Sequence, residues 1–165
     1  MPVDRSIVER AARLTLEKIA PRAATYDRDG INPVESWRDL WQEGLLAAAM
    51  PRAHGGLELD TPTYVAMIRT IAGGCASTAM TLHMHSTVLR FIAALGTDEQ
   101  RRRYFDEVTR RGKLFGSWGS EPAVSLSRTF LMETAIRSDG DDERVHAHPL
   151  KAPHPSMIDT LRSGS

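Results

Sequence analysis

The chain has 165 residues, of which 41% are hydrophobic and 25% charged, as expected of one globular domain with a sizeable core. Its 21 basic and 21 acidic side chains give no net charge, which argues against binding to nucleic acid or to an anionic membrane. No apolar run of about 18 residues predicts a membrane span, and the charged N-terminus does not resemble a secretion signal.

Apolar residues at helical spacing predict a first helix over residues 4–28. Pro21 lacks an N–H and clashes with the preceding turn, so we expect a kink or a break there. A second helix is predicted to begin near Pro33. Its Trp37 and Trp41 lie on the apolar face and are interpreted as core residues.

A third helix is predicted to start at Asp60, and residues 73–97 are predicted to form the long central helix of a bundle. Two glycines precede this central helix, Ser77 or Thr78 is expected to cap it, and Gly96 is expected to end it. The central helix carries an apolar stripe that is predicted to face the core. The residues of this stripe are Met80, Met84, Val88, Phe91, Ile92 and Leu95.

A capping box at Thr97 and Gln100 predicts the start of a fifth helix, which ends at Gly112. The predicted fold is therefore all-α, a five-helix bundle-like domain over residues 1–112. Residues 113–141 are predicted to be a short β or extended segment. The sequence is first glycine-rich, and over 125–137 its side chains alternate weakly in the pattern of a strand. Residues 142–165 contain too few apolar side chains to offset the entropy of ordering, and we predict a disordered tail.

Histidine and cysteine give weak signals of chemistry. His83 and His85 are two residues apart on a helix, so their side chains diverge by about 200° and cannot share a metal ion; no metal site is predicted. Cys75 is interpreted as a small buried residue at a helix start, with a nucleophile as the less favoured alternative. As the single cysteine it excludes an internal disulfide and favours a reducing, cytoplasmic location.

The segment GSWGS at 116–120 favours a ligand site over a helix. Extended glycine-rich backbone offers N–H groups to a planar polar ligand, and Trp118 could cover one face of a ring system. By spacing alone, an ordinary strand is the favoured interpretation and a ligand site the less favoured one.

Four segments resemble, in order and spacing, the amino-terminal region of the acyl-CoA dehydrogenase family over residues 5–141. They are IAPRAATYDRDGINPVESWRDLWQEGLLAAAMPRAHGGLELD, IAGGCASTAMTLHMH, ALGTDEQRRRYF and LFGSWGSEP. The resemblance implies a helical first domain, the start of a middle β domain over 113–141, and then a carboxy-terminal helical domain. It also implies FAD, which accepts a hydride at N5 while a glutamate base removes the α-proton of an acyl-CoA substrate.

The resemblance also assigns residues to sites. Ser120-Glu121-Pro122 matches the family's Thr-Glu-Pro, which makes Ser120 the expected partner of the isoalloxazine ring. The predicted cofactor-binding residues are Ser117, Trp118, Gly119, Ser120 and Leu126. The predicted acyl-binding residues, at the start of the central helix, are Ala79, Met80, His83 and Thr87. No catalytic residue is assigned, because the family's base belongs to the carboxy-terminal domain.

The family's Gly-Ser-Asp turn is replaced here by Ala123-Val124-Ser125, and the sequence after Gly140 does not continue the β domain. We therefore expect a truncated or frame-shifted member, inactive as an isolated chain and lacking the domains through which the family forms homo-oligomers. The alternative hypothesis is a non-catalytic helical interaction module. Some relatives of this family are monooxygenases, so the sequence leaves open whether the reaction is a dehydrogenation or a monooxygenation.

Overall fold

The computed structural model describes residues 2–116 and the backbone of 135–139 and 142–146. Residues 2–116 form five helical segments. The first segment runs without interruption through α1 (Arg5–Leu14), a π-helical turn (Thr15–Ile19) and α2 (Ala20–Asp29). The others are α3 (Val34–Gln42), α4 (Thr61–Gly74), α5 (Ala76–Leu95) and α6 (Asp98–Arg111), with 3₁₀ turns at Leu45–Ala47 and Arg52–His54. The predicted five-helix, all-α domain is confirmed.

Side chains at the starts of α1, α4 and α6 accept hydrogen bonds from free backbone N–H groups. The Asp60 carboxylate accepts a hydrogen bond from the Thr63 N–H at 2.9 Å and starts α4. The capping box of α6 forms as predicted, with the Thr97 N–H donating to Gln100 Oε1 at 2.9 Å and the Gln100 N–H donating to Thr97 Oγ1 at 3.2 Å. Gly112 ends α6 with φ of 62°, a left-handed conformation that favours glycine.

Two predictions about helix boundaries are wrong. The first helix does not break at Pro21, because the wider π-helical turn just before it accommodates the missing hydrogen bond; whether the helix bends there stays a prediction. The cap of α5 is Cys75, without a side-chain hydrogen bond to the helix, instead of Ser77 or Thr78. The Thr78 hydroxyl lies inside the domain and donates to Cys75 Sγ at 3.2 Å, so it is already engaged.

Polar contacts join the helices around the core. Asp39 of α3 is paired with Lys18 at 3.4 Å and with Arg22 at 2.7 Å, both from the first helical segment. Trp41 packs half-buried against the core and its Nε1–H donates to the Thr109 carbonyl of α6 at 2.8 Å. Trp37 is also half-buried, so neither tryptophan is one of the fully buried core residues.

The buried face of α5 is opposite to the predicted one. Met80 is 63% exposed, Phe91 57% and Leu95 80%. The residues that α5 buries are Thr78, Ala79, Leu82, His85, Ser86 and Leu89. This stripe mixes leucine with small and polar residues, whereas the predicted stripe is uniformly apolar. Hydrophobicity alone therefore selects the wrong side of α5, because the exposed side carries more large apolar side chains than the buried one.

The two described strands, β1 (Ala135–Asp139) and β2 (Asp142–His146), form an antiparallel pair in which Ile136 lies opposite Val145. The β1 strand overlaps the end of the strand predicted from the alternation over 125–137. The β2 strand occupies the first residues of the segment predicted as a tail, and the boundary at 142 stays a prediction. The predictions for the remainder of 117–165 lie outside the described residues.

None of the helices in the described part of the chain combines the length and apolarity that crossing a bilayer requires. The chain divides into two compact units at Ser117, and the helical unit contains all the side chains that the structure describes.

Two neighbouring glycines at the end of α4 predict opposite responses to alanine. A Cβ at Gly74 would lie 2.3 Å from Thr15 Cγ2, and Thr15 is only 7% exposed and cannot move away. We expect Gly74→Ala to lower the free energy of unfolding by about 1–3 kcal/mol. At Gly73 a Cβ meets no atom within 4 Å, so Gly73→Ala should be neutral or stabilise by up to about 1 kcal/mol. Urea denaturation of both variants measures the difference, and equal stability would contradict this packing.

Candidate functional site

The residues predicted to contact a cofactor, Ser117, Trp118, Gly119, Ser120 and Leu126, lie outside the described residues. The structure does describe the segment that leads to them, residues 112–116, which has no helical or strand hydrogen bonding. At Gly116 a Cβ would meet none of the described atoms within 4 Å, so the backbone there is open to close approach.

His85 of α5 holds this segment in place. Its imidazole is completely buried, with Nε2 3.2 Å from the carbonyl oxygen of Leu46 and Nδ1 accepting the Phe115 N–H at 3.0 Å. Because Nδ1 accepts a hydrogen bond, the ring proton is on Nε2 and is donated to Leu46. His85 therefore links the central helix, the turn after α3 and the exit from the helical domain.

Aromatic packing reinforces this arrangement. The rings of His85 and Phe115 are nearly parallel, 6.1 Å apart, and Tyr104 of α6 meets Phe115 edge-on at 5.7 Å. Burial lowers the pKa of His85 to about 4, and the hydrogen bond to Leu46 offsets only part of this. The imidazole is thus neutral at physiological pH, as the hydrogen bond that Nδ1 accepts from the Phe115 N–H requires.

Sequence reasoning considered His85 only as half of a metal pair and missed this contact. A signal was present, because His85 is spaced between Leu82 and Leu89 on the buried stripe. Its partners Leu46 and Phe115 are 39 and 30 residues away, and spacing along one helix does not identify them.

The predicted acyl-binding residues divide between two environments. Ala79 is buried in the core, 3% exposed, whereas Met80 is 63% exposed. His83 is exposed and Thr87 is half-buried, with the Thr87 hydroxyl donating to the His83 carbonyl at 3.0 Å. The structure therefore brings Met80, His83 and Thr87 to one accessible edge of α5 and places Ala79 behind them.

A polar group lies at this edge. The Tyr64 hydroxyl of α4 is 3.1 Å from His83 Nδ1, and the Arg90 guanidinium lies 4.7 Å from the centre of the Tyr64 ring. Burial raises the pKa of Tyr64. Among the described residues no carboxylate is paired with His83 or Arg90, which leaves this edge without a group suited to remove a proton as an anionic base.

The outer face of α5, defined by Met80, Met84, Phe91 and Leu95, continues this edge as an apolar surface. All four side chains are at least 39% exposed. Large apolar side chains that are exposed in a row are typical of a surface that another molecule covers. The outer face therefore has the character of a contact surface or a ligand wall.

The described part of the chain gives no support for a metal site or for a cysteine nucleophile. No three histidine, cysteine or acidic side chains converge there as metal ligands. Cys75 is free and buried, and its contact is the Thr78 hydroxyl and not a base. The interpretation of Cys75 as a small buried residue is confirmed.

The helical domain has known relatives. Residues 2–111 match the family described as "Acyl-CoA dehydrogenase, N-terminal domain", which coincides with the described helices. The chain belongs to the acyl-CoA dehydrogenase family. This confirms the resemblance found in the sequence and places the outer face of α5 within the amino-terminal domain of that family.

Individual relatives differ in their reactions. The chain is 26% identical to cyclohex-1-ene-1-carbonyl-CoA dehydrogenase of Syntrophus aciditrophicus, over 94% of this chain and 37% of that protein. It is 30% identical to dibenzothiophene monooxygenase of Rhodococcus erythropolis, over 77% of this chain and 29% of that protein. The structure of an electron transferring flavoprotein of Acidaminococcus fermentans shares the fold, with a TM-score of 0.74 at 20% identity over 86% of this chain and 37% of that one. The chain thus spans less than two fifths of the length of these relatives.

His85 predicts how stability depends on pH. The pKa of His85 is about 4 in the folded chain and near 6.5 when unfolded, so in this interval the unfolded chain binds the proton and the folded one does not. Stability is complete above pH 6.5 and decreases as the pH falls toward 4, by about 3 kcal/mol from this group. Urea unfolding, monitored by tryptophan fluorescence between pH 4 and pH 7.5, measures this change in the free energy of unfolding.

The variant His85→Leu should be about 2–5 kcal/mol less stable at pH 7, since the Leu46 carbonyl and the Phe115 N–H lose their partner. It should also lose the His85 contribution to the pH dependence. An NMR titration of the unaltered chain gives an independent measurement, in which the ring nitrogens of His85 stay in the neutral form down to about pH 4. Protonation of His85 near pH 6.5 in the folded chain would contradict a buried imidazole that makes two hydrogen bonds.

Proposed function

We propose that this chain is the helical part of an FAD-dependent acyl-CoA dehydrogenase, an oxidoreductase that removes hydrogen across the Cα–Cβ bond of an acyl-CoA thioester. In this proposal the outer face of α5 forms one wall of the acyl pocket. The observation that supports it most is the accessible edge at which Met80, His83 and Thr87 meet an otherwise apolar helix face. An acyl chain is apolar, and pockets for such ligands combine apolar walls with a few placed polar groups.

The segment after His85 and Phe115 is proposed to receive the cofactor. FAD, when bound, would supply the two-electron oxidant. Ser120 is the proposed partner of the flavin ring, with Ser117, Trp118, Gly119 and Leu126 beside it. The fixed position of Phe115 is compatible with this role, because its hydrogen bond to His85 anchors the segment just before these residues.

Residues 1–165 are proposed to be inactive by themselves. The polar group at the edge of α5 consists of a phenol, an imidazole and a guanidinium, and no carboxylate of the described residues joins it. A missing general base costs about two to four orders of magnitude in rate. A cytoplasmic location belongs to the same proposal, since the single cysteine is a free thiol.

A non-catalytic interaction module is the second candidate, and the same exposed apolar surface favours it. Four large apolar side chains in one row are typical of a protein contact as well as of a ligand wall. The two candidates differ in what binds the Met80 end of the row.

Titration of the ¹⁵N-labelled chain with octanoyl-CoA tests the proposal. We expect saturable shifts at the amides of residues 79–90, and an affinity at least tenfold higher than that for CoA alone, because the acyl chain buries apolar surface of α5. Met80→Glu should weaken octanoyl-CoA binding at least tenfold, since it places a charge against the acyl chain. Leu16→Glu is the matched control, since Leu16 is 76% exposed in the π-helical turn, and it should bind as the unaltered chain does.

Equal binding of octanoyl-CoA and CoA, or equal loss in the two glutamate variants, would contradict the acyl wall. Concentration-dependent association that Met80→Glu abolishes, without acyl-CoA binding, would favour the interaction module. A flavin absorbance that stays with the protein through gel filtration is the corresponding test of the cofactor segment.

A further inference from the structure

A cleft separate from the α5 surface lies between the 3₁₀ turn Arg52–His54 and helix α6. Its volume is about 450 Å³, within the range of about 300–1,000 Å³ that is typical of small-molecule sites. The lining residues are His54, Arg102, Arg103, Phe105, Asp106 and Thr109. None of them belongs to the predicted acyl or cofactor sites.

Two of the lining side chains carry uncompensated positive charge. Along α6, Arg101 is paired with Asp98 and Arg111 with Glu107, each within one turn of the helix. Neither Arg102 nor Arg103 is ion-paired with a carboxylate among the described residues, and the Arg103 guanidinium lies 5.7 Å from the centre of the Tyr104 ring.

The acidic residue of the cleft does not offset this charge. Asp106 is already ion-paired with Arg110, one turn further along α6. The cleft therefore presents two guanidinium groups to solvent beside a neutralised carboxylate. Guanidinium groups bind planar or tetrahedral oxyanions through paired N–H donors.

The floor of the cleft is aromatic. The half-buried His54 ring lies 5.1 Å from Phe105 at an interplanar angle of 55°, and because Phe105 is only 1% exposed, the His54 imidazole is the aromatic surface that a ligand can reach. The Thr109 hydroxyl donates to the Phe105 carbonyl at 3.0 Å, so its oxygen remains able to accept a hydrogen bond. A flat ring that rests on this floor would have apolar contact below it and a polar group at its edge.

We propose that this cleft binds a planar ring that carries a phosphate group, the chemistry of a nucleoside monophosphate. A phosphate monoester is close to a dianion at neutral pH and matches two guanidinium groups, whereas a carboxylate would leave one of them uncompensated. The ring rests on the half-buried His54 imidazole, and the phosphate lies against Arg102 and Arg103. The site is independent of the proposed acyl-CoA chemistry, because it shares none of its residues.

Titration of the ¹⁵N-labelled 165-residue chain with AMP, inorganic phosphate and adenosine tests the two parts of the site. We expect saturable shifts at residues 54 and 102–109, and an AMP affinity at least tenfold higher than that of either fragment. Inorganic phosphate binding as tightly as AMP would overturn the ring contact. Adenosine binding as tightly as AMP would overturn the phosphate contact. No saturable binding of AMP would overturn the proposal as a whole.

Variants separate specific contacts from general charge. Arg102→Ala combined with Arg103→Ala should weaken AMP at least tenfold. The matched control, Arg28→Ala combined with Arg111→Ala, removes the same charge from exposed residues outside the cleft and should leave AMP affinity within twofold. His54→Ala should weaken AMP but not inorganic phosphate. Equal losses in the two double variants, at unchanged melting temperature, would show non-specific electrostatic attraction and would overturn the site.

Discussion

The neutral imidazole of His85 is the constraint on which the exit from the helical domain depends. Both ring nitrogens bond to backbone groups from distant parts of the chain, and both bonds exist only when the proton is on Nε2. Displacing the ring would leave a buried carbonyl and a buried N–H without partners. The segment that follows α6 is thereby held against the central helix, and Tyr104 and Phe115 close the contact with aromatic packing.

Local chemistry was predictable wherever the partners are close in sequence. The Asp60 cap, the capping box of Thr97 and Gln100, and the left-handed Gly112 are each decided by residues within one helical turn, and all three are found as predicted. The family was predictable for a related reason, because several such local segments recur in a fixed order. These features place five helices but do not determine which side of each helix is buried.

Contacts between distant residues were not predictable from periodicity. Tyr64 meets His83 across two helices, and Gly74 accommodates Thr15 of the π-helical turn, and neither pair has a spacing that identifies it. The buried stripe of α5 was missed because its histidine, serine and threonine look like surface residues until their partners are known. Pro21 was misjudged because a π-helical turn, which sequence does not reveal, precedes it.

The apolar outer face of α5 is longer than one ligand. Met80 and Leu95 are about 22 Å apart along the helix, so a short acyl chain that starts at Met80 covers only the first turns. Leu95 is nevertheless 80% exposed, and Phe91 57%, at the far end. Apolar side chains at such exposure gain free energy from any apolar cover, at about 25 cal/mol for each Å² removed from water. If the Met80 end, beside His83 and Thr87, forms the proposed acyl wall, the Leu95 end is left for a second occupant such as a protein surface.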